Sequence, residues 1–566
     1  MDYVENNEST VFAKLRKIYL NPIFILTVIT VGITIYLLMV QIKIGVPYWD
    51  VFNYLNNAFY FAGLGSGGVL YLPPFLPLLT SIFFRLGYVS VNVIFVITSI
   101  IFVIGVIGLY LLLKERFNTI QSLTACFIFI SFPVVMSWVA TGGIDLPGVS
   151  FSIWALYFTV MGVKKDSKYL YLTLPIIMLA FLTRYTAGVI IIPILFYLLI
   201  NIKHVQNVKK VILGVLIELI PLIIIFIYFY LKLGISTSFY NLFISVAYST
   251  STGMGDVAYN PNIFYFIQNI PNYISIYPFL GPYQHLLNPS QGFISILSYI
   301  IILVALSGLG FYIYRLLNSR DVEKPWISKN IIIKMLLLFV LIIAFLISFN
   351  NTSFIISEII FFGICLLLYR FLKDTETNID LDLMFLSWFG TYLIFQSTLV
   401  IKVDRYFITM APALAYFIIL GLSEFLEKLG PKMKGSNIKL WMIYFIISLI
   451  FLSSAVATNV SHQPKKSFTM DIQDACKWLT EYDPNYKNKI IASDYPTAVS
   501  WNLKKDVRGE FPRLYKSTEV FSEVLHRDGV DYYIDSTSRP HPVLNGYHII
   551  KTFRVVAIYE RDNLTV

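Results

Sequence analysis

Four short strings hold the charged residues best placed to do chemistry. The first is Pro47-Tyr48-Trp49-Asp50, which runs into the amphipathic stretch Phe52–Phe61. Asp50 has two readings. It caps that helix by accepting from the free N–H groups of the first turn, or it takes a proton from a bound hydroxyl while held against an apolar wall. The second string is Gly142-Gly143-Ile144-Asp145-Leu146-Pro147. Asp145 is again a cap, since Pro147 sits near a first helical turn, or a second functional carboxylate. The third, Leu182-Thr183-Arg184-Tyr185, sets an arginine between two closely spaced apolar runs, and the fourth is Lys402-Val403-Asp404-Arg405-Tyr406. A basic residue at such an edge can simply extend its head toward water. A guanidinium also suits a phosphate, which it holds through paired hydrogen bonds.

These charges are informative because charge is scarce. Hydrophobic residues make up 57% of the 566, charged residues 13%, and mean hydropathy is +0.71. A water-soluble surface usually needs about 25% charged residues, so much of this chain faces lipid. The 46 Phe and 39 Tyr fit that solvent, Tyr being enriched where hydrocarbon meets headgroups. The net charge of +10 does not point to nucleic acid. Its Lys and Arg cluster in short loops between apolar runs, the pattern that orients membrane segments. The three cysteines form no framework.

A helical span needs roughly 20 apolar residues. Such runs occur at Asn21–Gln41, Val89–Leu113, Thr119–Val139, Pro147–Val163, Tyr169–Thr183, Ala187–Ile202 and Val211–Leu231. They continue at Gly292–Tyr314, Ile331–Phe349, Ser353–Leu372, Leu383–Ile401, Phe407–Phe425 and Leu440–Ala457. The first is too long for a cleavable signal. Lys14, Arg16 and Lys17 before it predict a cytoplasmic N-terminus. Leu70–Tyr88 contains Pro73, Pro74 and Pro77. If it does not cross, the later basic clusters fall inside: Lys114/Arg116, Lys164/Lys165/Lys168, Lys203/Lys209/Lys210, Arg315/Arg320/Lys324, Arg370/Lys373 and Lys428/Lys432/Lys434. It is therefore read as re-entrant or juxtamembrane. All four charged strings, a first outer loop at 43–88, a large outer loop at 234–291 and the tail then lie outside.

The tail, residues 461–566, reads as a small soluble α/β domain. Asp471–Tyr482 and a segment opened by Ser517 and Glu519 have helical spacing, while Lys489–Ala492, Val530–Ile534, Tyr547–Lys551 and Phe553–Tyr559 read as strands. Asp494 and Asp531 are read as strand-end residues. A proton-coupled transporter would want ionisable residues in mid-membrane, where only Glu218, Lys334 and Glu358 are candidates. No Walker loop, metal-ligand spacing or inverted repeat is present. Acids and arginines sharing one face predict a phosphorylated substrate at the lipid–water boundary.

In order and sidedness these strings resemble GT-C type glycosyltransferases that use polyprenyl-phosphate sugars, a class including protein O-mannosyltransferases and the aminoarabinose transferase of lipid A. The resemblance covers about residues 10–460. It rests on Asp50, the hairpin Leu72-Pro73-Pro74-Phe75-Leu76-Pro77, Asp145, the turn Leu182 to Gly188, and Arg405-Tyr406 to Pro412. Val51 follows Asp50 where some relatives carry Glu, and Tyr71-Leu72 replace an acidic-basic pair of the aminoarabinose transferases. The fold expected is a polytopic α-helical membrane protein of GT-C type, with about thirteen transmembrane helices over residues 1–460 and the C-terminal domain. The resemblance implies inverting transfer of a hexosyl or pentosyl group from a polyprenyl or dolichyl phosphate to a protein, lipid or glycan hydroxyl. No cofactor or metal is expected, and no nucleic-acid partner. Asp50 would be the base and Asp145 a second cavity carboxylate. Arg184, Arg405 and Lys402 would hold the donor phosphate, with Tyr48, Trp49 and Tyr406 lining the cavity. The alternative is a flippase or transporter of the same lipid, which needs the arginines but no base.

Overall fold

The computed structural model describes residues 21–65, 72–233, 260–274, 287–292, 294–318, 329–375, 378–399, 401–429, 437–461 and 467–562. Lys14, Arg16, Lys17, Arg320, Lys324, Lys432, Lys434, the side chain of Glu218 and most of the 234–291 loop lie outside them. Each apolar run carries a helix. In chain order, with those of the 43–88 loop, these are α1 (Pro22–Ile44), α2 (Trp49–Phe61), α3 (Phe75–Arg85), α4 (Val91–Leu113), α5 (Thr119–Ser131), α6 (Asp145–Lys164), α7 (Leu170–Thr183) and α8 (Ile191–Ile200). Then come α9 (Val208–Leu233), α10 (Ile296–Asn318), α11 (Lys329–Asn351), α12 (Phe354–Leu372), α13 (Ile379–Thr398), α14 (Ala411–Leu429) and α15 (Asn437–Ser461). Among the described residues seven helical segments are long and apolar enough to cross a membrane: α1, α4, α6, α10, α12, and the Ile332–Phe349 and Lys439–Ser461 parts of α11 and α15.

Two departures from the expected runs have local causes. The run Thr119–Val139 is not one helix. Phe132 is extended at ψ 127°, as the residue before a proline prefers, and Pro133 starts a separate turn, Pro133–Met136. The run Ala187–Ile202 begins instead as a 3-10 stretch, Tyr185–Ile190, which rises about 2.0 Å per residue and gains depth for its length. At 11 residues, α3 is about 16 Å long and too short to cross the hydrocarbon.

The chain divides into two compact units. One comprises residues 1–35, 100–139 and 144–463. At its centre α13 buries Trp388 and Tyr392 completely. The outer helices behave oppositely: Ile296, Leu303, Leu336 and Leu449 are each more than half exposed. Apolar surface on that scale requires lipid rather than water as its neighbour. Two glycines set the spacing of α10 and α14, since a Cβ on Gly308 would stand 1.8 Å from the carbonyl oxygen of Gly421. Small residues of this kind let membrane helices touch backbone to backbone. The basic loops are tied down by buried acids. Arg116 Nε lies 3.0 Å from Asp382 Oδ1, Tyr312 and Tyr416 donate to the same carboxylate, and Arg315 meets Glu424 at 2.5 Å.

The second unit comprises residues 36–99, 140–143 and 464–566. Its sheet has strands β1 (Ile491–Ser493), β2 (Arg508–Gly509), β3 (Tyr532–Asp535), β4 (Tyr547–Phe553) and β5 (Val556–Arg561), in the order β2-β1-β3-β5-β4. β1 is parallel to both β2 and β3, while β5 pairs antiparallel with β3 and β4. Helices α16 (Phe468–Tyr482), α17 (Pro496–Leu503) and α18 (Thr518–Arg527) accompany it. Phe521, Leu525, Tyr533 and Tyr559 form its core. Helix α2 and the residues before it belong here: Asn56 Nδ2 donates to Thr497 O at 2.9 Å and Thr469 Oγ1 to Val46 O at 2.8 Å.

Candidate functional site

Arg184 stands where α7 ends. Its backbone is extended (φ −150°, ψ 115°) between α7 and the 3-10 turn, so the chain reverses and the side chain turns inward. It is buried, and its guanidinium pairs with the buried carboxylate of Asp145 at the start of α6. Nε donates to Thr186 Oγ1 at 2.7 Å. Gly148 permits this approach, because a Cβ there would come within 3.0 Å of Arg184 Cβ. Asp145 is not the helix cap, a position held by Ile144 without a side-chain bond. Its carboxylate is committed to the arginine instead. Such a buried pair offsets its desolvation only with good geometry and further hydrogen bonds.

The Lys402–Tyr406 turn brings a second guanidinium to the same place. Arg184 lies 5.2 Å from the centroid of the Tyr406 ring and Arg405 lies 5.9 Å from it. Arg405 also lies 5.6 Å from the Trp138 ring. These are cation–π distances. The alternate residues of the turn point elsewhere. Lys402 Nζ donates to Asn260 O at 2.8 Å and Leu399 O at 2.6 Å. Burial pushes its ammonium down to about 8. Asp404 is 1% exposed and accepts from Tyr265 and Tyr273 hydroxyls at 2.6 and 2.8 Å and from Ser290 N–H at 2.7 Å.

The Tyr48-Trp49-Asp50 string lies in the second unit. Tyr48 occupies the N-cap of α2 without a side-chain capping bond, and Asp50 sits in the first turn, half-buried. Trp49 packs edge-on to Tyr495 with centroids 4.5 Å apart. Burial, and after it the carboxylates of Asp50 and Asp494, hold the Tyr495 phenol above its usual range. Gly142 has φ +77° and Gly143 leaves no room for a Cβ, which would meet the Tyr48 hydroxyl at 2.5 Å. The Gly-Gly pair is thus required by both conformation and contact.

The sequence model of the dolichyl-phosphate-mannose-protein mannosyltransferase family matches residues 72–228. That stretch holds Asp145 and Arg184 but neither Asp50 nor Arg405. Among solved structures, ArnT from Cupriavidus metallidurans bound to undecaprenyl phosphate is similar with a TM-score of 0.55 and 10% identity, over 94% of this chain and 97% of that one. AglB, an archaeal oligosaccharyltransferase from Archaeoglobus fulgidus in complex with an inhibitory peptide and a dolichol-phosphate, gives 0.50 and 12%, over 91% and 69%. The chain has the GT-C glycosyltransferase fold. No curated protein sequence matches it.

Within this GT-C fold Asp145, Arg184, Arg405 and Tyr406 come together in one unit, with Lys402 bonded to nearby carbonyls. Asp494 and Asp531, read as strand-end residues, do occupy strand ends. Asp494 follows β1 and accepts from the backbone of Ser536 and Thr537, and Asp531 precedes β3 and accepts from Ile490 N–H. Trp138, Tyr265 and Tyr273 carry no distinguishing signal in the sequence. Among 39 tyrosines and 8 tryptophans, nothing in type or spacing marks the few that face a charge.

Proposed function

We propose that the chain is an inverting glycosyltransferase that moves a sugar from a polyprenyl or dolichyl phosphate to an acceptor hydroxyl at the outer face of the membrane. The observation supporting this is the convergence of two guanidiniums, far apart in the chain, on the Tyr406 ring. A phosphate leaving from a sugar gathers negative charge, and fixed cations beside it lower the barrier. Arg184 is buried and neutralised by Asp145, so it serves as a rigid, oriented donor. Arg405 is half-buried and serves as the second cation to meet the phosphate. Trp138 and Tyr406 give both cations an aromatic floor.

Asp50 is assigned the base. Its carboxylate accepts the proton of the acceptor hydroxyl, the hydroxyl oxygen forms the new bond to the anomeric carbon, and the carbon–oxygen bond to phosphate breaks. The electron pair leaves with the lipid phosphate. The half-buried setting of Asp50 beside Trp49 suits a base that meets substrate rather than bulk water. The family resemblance supports the donor class, since ArnT was solved with undecaprenyl phosphate and AglB with a dolichol-phosphate. The test is a panel of labelled polyprenyl-phosphate sugars and nucleotide sugars given to the purified protein in lipid nanodiscs with crude membrane acceptors. Label should move from a lipid-phosphate donor and from no nucleotide sugar. Transfer only from nucleotide sugars would overturn the proposal.

A further inference from the structure

Asp404 has no role in the chemistry above, yet it is among the most completely bonded carboxylates of the described residues. It is 1% exposed, and its three donors come from the described segments 260–274 and 287–292: Tyr265, Tyr273 and the backbone of Ser290. Tyr265 also shares a bond with Ser290 Oγ at 3.0 Å. The same segments are fastened at three further points. Asn260 O accepts from Lys402, Leu287 O accepts from Trp138 Nε1 at 3.1 Å, and Tyr273 stacks on Phe407 with centroids 4.1 Å apart. Asn272 Nδ2 links the two segments through Pro289 O at 2.8 Å.

The turn therefore has two faces with separate work. Lys402 and Asp404, with Phe407 just beyond the turn, bind the segments 260–274 and 287–292, while Arg405 and Tyr406 meet Trp138 and Arg184. Trp138 belongs to both sets, because its indole N–H is held by the 287–292 segment and its ring lies beside Arg405. We propose that Asp404 is a positioning residue for the donor phosphate: it pins the segments 260–274 and 287–292 to the Lys402–Tyr406 turn and so holds Trp138 and Arg405 in place. This rests on the assignment of Arg405 to the phosphate. The physical basis is that a buried carboxylate with three donors is replaced poorly by anything neutral. Asparagine keeps the shape but turns an N–H toward at least one former donor and removes the charge that strengthens all three bonds.

The experiment measures binding of undecaprenyl phosphate to the full chain in nanodiscs, together with amide hydrogen exchange over 260–274 and 287–292. The variants are Asp404→Asn, Arg405→Ala and, should Asp404→Asn not fold, Tyr265→Phe and Tyr273→Phe. Asp404→Asn should weaken binding roughly tenfold, the scale of one lost buried charged bond, and should speed exchange in both segments. Arg405→Ala should weaken binding with exchange unchanged. Faster exchange in Asp404→Asn at wild-type affinity would overturn the positioning role, and unchanged exchange would overturn the pin. Wild-type affinity in Arg405→Ala would instead overturn the phosphate assignment, and exchange in Asp404→Asn would still report on the pin. In the fallback pair, loss of affinity with faster exchange supports the proposal, and no change in either overturns it.

Discussion

Arg184 and Asp145 illustrate how much one residue pair can decide. Both are buried, so neither charge is solvated by water and each depends on the other. Substituting one partner leaves a lone buried charge, a loss of roughly 3–5 kcal/mol in comparable buried pairs. We expect Asp145→Asn to lower the thermal unfolding midpoint in detergent sharply. The double variant Asp145→Asn with Arg184→Met should lose less than the two single variants together. Additive losses would mean that the pair is not coupled. Lys402 sets a pH limit on the same turn. Its ammonium titrates at about 8 because burial disfavours the charge, so as pH rises through 8 the amine becomes neutral. Its bonds to Asn260 O and Leu399 O then lose their charge-assisted strength. Donor affinity should fall across that step. Lys402→Arg, which stays charged at any such pH, should bind without the step, and a fall of the same size in that variant would rule Lys402 out as its cause.

At the scale of elements, close helix contact is argued from glycine rather than from hydrophobicity. Gly308 and Gly310 are two residues apart on α10, yet a Cβ on Gly308 would strike Gly421 O while one on Gly310 would meet nothing within 4 Å. Gly308→Ala should therefore push α10 from α14 and lower stability. Gly310→Ala should be neutral or slightly stabilising, as alanine favours a helix over glycine by about 1 kcal/mol. Equal effects at the two sites, read from unfolding midpoints, would contradict the packing. This contrast is invisible in sequence, where both glycines lie in the same apolar run. What sequence does reveal at this scale is the helices themselves, because an apolar run of span length has few other structures open to it. Their breaks were legible only in part. Pro133 ends α5 although the apolar run continues to Val139, and the eight-residue α17 and two-residue β2 are too short to show a period.

For the whole molecule, the GT-C fold organises charges that sequence could name but not pair. Asp145 and Arg184 were legible as isolated charges at helix ends, and their ion pair was not, because it depends on Gly148 bringing α6 against the Arg184 turn. Asp404 lay in view beside Arg405, but its partners come from a Tyr-rich loop whose individual tyrosines look alike. Likewise the contact of Trp49 with Tyr495 joins the start of α2 to the N-cap of α17, more than four hundred residues later. The central claim is that a lipid-phosphate sugar is consumed by a base-assisted transfer. It is tested most directly by measuring release of polyprenyl phosphate from the donor selected in the panel, comparing wild type with Asp50→Asn at matched donor binding. The account predicts turnover by wild type and its loss in Asp50→Asn, with binding retained. Undiminished turnover in that variant would contradict it, as would labelled lipid crossing the bilayer without any release.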